Sequence, residues 1–173
     1  KSPDTIAMSF SGITNKGRYV LLEEKVYNNA TLGTPLAPSD TVVNFVAFLN
    51  RCRAEWGLAR NTFIDSADQA TLTEFDKYRR KHPECMYLFN NAYKKVTIID
   101  RINLQLGWMA YDDEAGKMPD FYVVNTCTNY IGEMGTYSWQ EDEDCTPEDG
   151  NDHMVNSVQY NWIPYRDKIG VRE

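Results

Sequence analysis

The hydrophobic residues of this chain change their spacing several times, and this alternation limits the fold more than any other sequence feature. Residues 5–11 alternate between apolar and polar side chains, a pattern typical of a strand with one buried face. A second strand is predicted at 18–22, after a turn that contains glycine, and a further extended piece at 25–27. The chain is therefore expected to open with a β-hairpin.

Beyond the hairpin, apolar residues recur at steps of three and four, which is typical of helices with one buried side. Such helices are predicted at 39–57, 68–82, 96–109, 130–134 and 152–162. Short apolar strands are predicted between them, at 62–64, 86–89 and 121–124. A hairpin followed by alternating strands and helices predicts an α/β fold with a mixed β-sheet flanked by helices. The length of 173 residues suits one domain, which we expect over 1–173.

The net charge of −7 argues against a protein that binds nucleic acid through a basic surface. Such a charge is compatible with an enzyme that meets nucleic acid through bound metal ions, because the ions reverse the local charge. No apolar run approaches the roughly 18 residues that span a membrane. The four cysteines lack the spacing of a metal site, and they are expected to be reduced thiols in a cytoplasm.

The first candidate functional residue is Asp65, which directly follows the predicted strand 62–64. Open α/β sheets bind ligands beyond the carboxyl ends of their strands, and a carboxylate there is a suitable ligand for Mg²⁺ or Mn²⁺. The alternative is a structural role in which Asp65 only caps the following helix, with Asp68 solvated.

A second candidate cluster lies at the start of the last predicted helix. Asp152, His153, Asn156 and Tyr160 fall on one arc of this helix, and the apolar residues fall on roughly the opposite arc. Carboxylate, amide and imidazole groups together can bind a divalent cation. The alternative is that Asp152 caps the helix and the other residues form an exposed polar face.

An acidic run at 141–149 precedes this helix. Charge runs of this kind are usually solvated loops. The run lacks the ligand spacing of a calcium-binding EF-hand, and we predict a solvated loop there.

Read in order, four stretches resemble the C-terminal nuclease domain of the large terminase subunit of tailed phages. They correspond to the opening hairpin of that domain, its strand with the second catalytic acid, its block of the form C-x-x-x-I-x-E-x-x-x-Y-x-W, and its closing helix. In this chain the stretches lie at 3–7 with 17–23, at 63–68, at 95–102 with 125–139, and at 151–160. The resemblance extends over nearly the whole chain.

The resemblance implies a ribonuclease H-like fold and a metal-dependent endonuclease that cuts concatemeric double-stranded DNA. It implies two Mg²⁺ or Mn²⁺ ions about 3.5–4 Å apart, which activate a water and stabilise the leaving oxygen. Asp65 corresponds to the second catalytic acid, and Asp152 and His153 to the third metal-ligand position. Asn156 stands where the family often has Asp, and is expected to be a weaker ligand. Gln159 stands where the family usually has Arg.

The resemblance also implies partners and a larger protein. The first catalytic Asp of the family would fall before Lys1, so we expect this chain to be a fragment of a longer terminase large subunit. An ATPase domain would then precede it in the same protein. The portal and the small terminase subunit are the expected protein partners, no membrane is involved, and the expected location is the cytoplasm of the host cell during phage assembly.

Two other functions are compatible with the same residues. The first is another ribonuclease H-like nuclease, similar to junction resolvases or transposases, although these usually carry a basic DNA-binding surface. The second is a non-catalytic metal-binding module with a role in assembly.

Overall fold

The computed structural model describes residues 5–137 and 152–171. These residues group into two compact units. The first unit comprises 5–8 and 25–92, and the second comprises 9–24, 93–137 and 152–171. Both units therefore contain part of the opening hairpin.

The opening hairpin consists of strand β1 (Thr5–Ile13) and strand β2 (Tyr19–Asn28), as predicted. The two pieces predicted at 18–22 and 25–27 form one continuous strand. Gly17 lies in the turn with φ of 70°, a conformation that favours glycine. A Cβ atom at this position would lie 2.8 Å from the Lys168 carbonyl oxygen, so the close approach also requires glycine.

The first unit contains helix α1 (Pro38–Trp56), strand β3 (Thr62–Ile64), helix α2 (Gln69–Lys81) and strand β4 (Phe89–Asn91). β3 and β4 pair in parallel, with Thr62 opposite Phe89. The strand predicted at 86–89 therefore begins later than expected. Its bounds depend on pairing with β3, which the local sequence does not reveal.

Aromatic residues form much of the core of the first unit. Phe45 of α1 meets Phe75 of α2 edge to face, with ring centroids 5.7 Å apart. Phe75 in turn contacts Phe89 at 4.4 Å. The Tyr87 hydroxyl donates a 2.6 Å hydrogen bond to Asn50 Oδ1, which ties the segment before β4 to α1. These contacts hold β4 against the two helices, and β3 is held in turn by its pairing with β4.

The second unit contains helix α3 (Ile98–Met109), strand β5 (Phe121–Val123), helix α4 (Thr128–Thr136) and helix α5 (His153–Trp162). A 3-10 helix, Ile163–Lys168, continues directly from α5 and was not predicted. β5 pairs in parallel with β2, and the strand order is β1-β2-β5. Because β1 and β2 form a hairpin, this sheet is mixed, as predicted.

The core of the second unit joins the sheet to α4 and α5. Tyr19 of β2 stacks on Phe121 of β5 at 4.7 Å, and Phe121 stacks on Tyr130 of α4 at 6.2 Å. Trp162 at the end of α5 is fully buried and meets Trp108 of α3 at 4.9 Å, with the rings nearly perpendicular. Edge-to-face and offset aromatic pairs of this kind stabilise a core beyond the area that they bury.

Within 5–137 and 152–171, no helix has both the length and the apolar character that crossing a membrane requires.

Candidate functional site

Asp65 directly follows β3, as the sequence predicts, and it shapes the turn that leads into α2. Its Oδ1 accepts a 2.8 Å hydrogen bond from the backbone amide of Ala67, and its carbonyl oxygen accepts one from the Asp68 amide at 3.1 Å. Asp68 is the residue that caps α2, because its Oδ1 accepts from the Thr71 amide at 3.0 Å. The capping role that the sequence left open for Asp65 therefore belongs to Asp68.

The face that α5 was predicted to bury is buried. Val155, Val158 and Trp162 are at most 1% exposed. On the other arc, Asp152 and Asn156 are half-buried and His153 is exposed. The structure therefore brings three of the predicted ligands together in the first turn of α5.

Asp152 is the N-cap residue of α5, but its side chain does not cap the helix. Its Oδ2 instead accepts a 2.9 Å hydrogen bond from Asn156 Nδ2, one turn further along the helix. The Asn156 amide thus orients the Asp152 carboxylate through its nitrogen. The oxygen Oδ1 of Asn156 is the atom with which this side chain could bind a cation.

The side chain that caps α5 is Glu133, which lies within the block that resembles the family and for which no role was predicted. Glu133 lies in α4, and its Oε2 accepts hydrogen bonds from the amides of Met154 at 2.8 Å and Val155 at 2.9 Å. Burial raises the pKa of the Glu133 carboxyl. The two amide bonds and His153 act in the opposite direction on this pKa, while the Asp152 carboxylate adds to the rise.

Glu24 at the end of β2 caps α4 in the same way. Its Oε1 accepts from the Asn129 amide at 2.6 Å and from Asn129 Nδ2 at 2.9 Å, and its Oε2 accepts from the Tyr130 amide at 2.9 Å. No local signal predicts these caps, because Glu24 and Glu133 lie 105 and 21 residues before the first amides that they bind. Capping patterns in sequence rely on side chains within a few residues of the helix start.

Asp65 belongs to the first unit, and Asp152, His153 and Asn156 belong to the second. No three His, Cys, Asp or Glu side chains of the described ranges gather into a cluster that could hold a metal ion. The acidic run at 141–149, the end of the predicted family block at 138–139 and Cys145 lie outside the described residues. Tyr160, the last residue of the predicted polar arc, has its ring 5.4 Å from Lys94 Nζ.

Comparison with solved structures establishes the class of the fold. The chain aligns with the large terminase from a thermophilic bacteriophage with TM-scores of 0.69 and 0.67 in two crystal forms, at 14% and 15% sequence identity. Both alignments cover 94% of this chain and 37% of the terminase. This chain thus spans just over a third of the length of that protein.

A second solved structure corresponds to the nuclease part of a large terminase. It is the g2p (large terminase) nuclease domain from the bacteriophage SPP1 with bound Mn. The alignment has a TM-score of 0.54 and 17% identity, and covers 94% of this chain and 80% of that domain. The predicted ribonuclease H-like α/β fold is confirmed by this similarity. No family model and no curated protein matches the chain.

Proposed function

We propose that this chain is the metal-dependent DNA endonuclease domain of a viral DNA-packaging terminase. The observation that carries the proposal is the structural alignment of 94% of the chain with a terminase nuclease domain whose structure contains Mn. The position of Asp65 at the carboxyl end of β3 supports it, because α/β sheets bind ligands at such ends.

The donor chemistry of the candidate residues fits Mg²⁺ or Mn²⁺. Asp65 and Asp152 supply carboxylate oxygens, Asn156 supplies an amide oxygen, and His153 supplies an exposed imidazole. Hard divalent cations prefer oxygen ligands, and Mn²⁺ also accepts imidazole. Two bound ions would supply an activated water and would stabilise the oxygen that leaves the phosphate.

In this proposal the protein's own groups have distinct tasks. Asp65, Asp152 and His153 are the proposed catalytic residues, because they would hold the ions that supply the chemistry at the phosphate. Asn156 is a weaker ligand and holds the Asp152 carboxylate through its Nδ2. Because the ions would bind to the folded protein, ion binding should also stabilise the fold.

The substrate proposed is concatemeric double-stranded DNA, and the chain is one domain of a larger terminase large subunit. Its partners are an ATPase domain of the same protein, the portal and the small terminase subunit, in the cytoplasm of the host cell. The coverage of only 37% of the large terminase from the thermophilic bacteriophage supports a larger protein. The net charge of −7 supports contact with DNA through cations rather than through a basic surface.

The test is Mn²⁺-dependent cleavage of plasmid DNA by the intact protein, by Asp65→Asn and by Asp68→Asn. Asp65→Asn should abolish cleavage, because an amide is a much weaker cation ligand than a carboxylate. Asp68→Asn is the matched control, since Asn also caps helices well and Asp68 has no role in the proposed site.

Cleavage by Asp65→Asn at the rate of the unsubstituted protein would refute the role of Asp65. The absence of Mn²⁺-dependent cleavage by the unsubstituted protein would refute the proposed function itself. Circular dichroism of both variants shows whether the fold is unchanged.

A further inference from the structure

We propose that Glu133 is a positioning residue that holds the first turn of α5, and with it Asp152 and His153, in the geometry needed for cation binding. The inference rests on the proposed function, because it gives Glu133 a role only through those two ligands. It also assigns α4 a role in the candidate site, which the spacing of the α4 residues in the sequence does not predict.

The contact is specific to the start of the helix. Glu133 Oε2 accepts hydrogen bonds from the amides of both Met154 and Val155. The first amides of a helix have no acceptor within the helix, so they need one from outside. Asp152 does not supply it, because its carboxylate binds Asn156 Nδ2 instead. Because Glu133 accepts from these amides, the Asp152 side chain does not cap the helix, as an N-cap side chain usually does.

The residues that Glu133 holds have little freedom to find another acceptor. Met154 and Val155 are 0% and 1% exposed, so water cannot easily replace the carboxylate at their amides. Asp152 and His153 directly precede these residues in the chain. Movement of the first turn of α5 would therefore move both proposed ligands.

Glu133 itself is on a well-anchored helix. Glu24 caps the start of α4, and the buried Tyr130 of α4 stacks on Phe121 of β5. The sheet thus fixes α4, and α4 fixes α5 through one carboxylate. Residues that orient metal ligands typically change metal affinity by 10–100-fold when they are substituted.

The experiment compares Glu133→Gln and Glu133→Ala with the matched controls Glu24→Gln and Glu24→Ala in the intact protein. The controls remove the same kind of cap from α4 and leave the cap of α5 in place. Two quantities are measured: hydrogen exchange of the peptide 152–158 without metal, and the dissociation constant for Mn²⁺ by calorimetry.

Glu133→Ala should accelerate exchange in 152–158 roughly tenfold or more and weaken Mn²⁺ binding by roughly 10–100-fold. Glu133→Gln should have a smaller effect on both quantities, since its carbonyl oxygen can still accept from the two amides. The Glu24 variants should change both quantities much less than Glu133→Ala does, because they weaken the start of α4 but leave the two amides of α5 with their acceptor.

Unchanged exchange in Glu133→Ala would overturn the inference, because the cap would then not hold the turn. Faster exchange with unchanged Mn²⁺ affinity would also overturn it, since Glu133 would then be merely structural, and the proposed function would stand. If Glu24→Ala weakened Mn²⁺ binding as much as Glu133→Ala does, the effect would come from a general loss of stability. That result would also overturn the inference. An unsubstituted protein that binds no Mn²⁺ would instead refute the proposed function, and the positioning role with it.

Discussion

The cap that Glu24 provides for α4 should contribute measurably to stability, and Glu24→Ala tests this. The substitution removes three hydrogen bonds to a carboxylate, two from Asn129 and one from the Tyr130 amide. Asn129 is exposed, so water can replace the carboxylate at its two donors. Tyr130 is 1% exposed, and its amide would remain without an acceptor.

The loss of stability follows from these contacts. A buried donor without a partner costs about 1–3 kcal/mol, and the loss of an N-cap costs about 0.5–2 kcal/mol. We therefore expect the free energy of unfolding to fall by about 2 kcal/mol. For a protein of this size, that loss lowers Tm by about 4–8 °C.

The assay is urea denaturation and thermal denaturation, followed by circular dichroism, with Glu74→Ala as control. Glu74 forms an exposed ion pair with Lys77 at 2.6 Å within α2. Exposed pairs of this kind contribute about 0–1 kcal/mol, so the control should change Tm little. Equal losses in Glu24→Ala and Glu74→Ala would refute the reasoning, because the buried amide would then have no special cost.

Two further predictions concern a glycine and the thiols. Gly17→Ala should lower the free energy of unfolding by about 1–3 kcal/mol, because φ is 70° and the new Cβ would approach the Lys168 carbonyl oxygen. Gly33→Ala, where a Cβ meets nothing within 4 Å, is the control in the same denaturation assay, and equal losses would contradict the prediction. At pH values near 8, a thiol reagent should label Cys85 well before Cys127. Burial raises the pKa of the Cys127 thiol to about 11, with smaller contributions from Glu24 and Glu23. Peptide mass analysis locates the label. Labelling of Cys127 faster than Cys85 would contradict the prediction.

Most of the secondary structure follows from local sequence. Helix α1 begins at Pro38 and ends before Gly57, whose φ of 106° favours glycine, and both limits were close to those predicted. Helix α2, at Gln69–Lys81, also lies close to the predicted range of 68–82. Such signals are local, because the period of apolar residues and the cap lie within the helix itself.

Strand limits were predicted less well. β3 was found at 62–64 as expected, whereas its partner β4 begins at Phe89, near the end of the predicted strand. A strand of three residues is defined by its hydrogen bonds to a neighbour. The pairing of Thr62 with Phe89 spans 27 residues, and no local pattern reveals it.

For the candidate site, the sequence by itself determined which residues end a strand or share a helical arc: Asp65 after β3, and Asp152, His153 and Asn156 on one side of α5. Only the tertiary structure decided how their groups are held. It turned Asp152 toward Asn156 and assigned the cap of α5 to Glu133. The physical reason is that arcs and strand ends follow from backbone geometry within a few residues. Buried amides bind whichever carboxylate the fold brings to them, however distant in sequence.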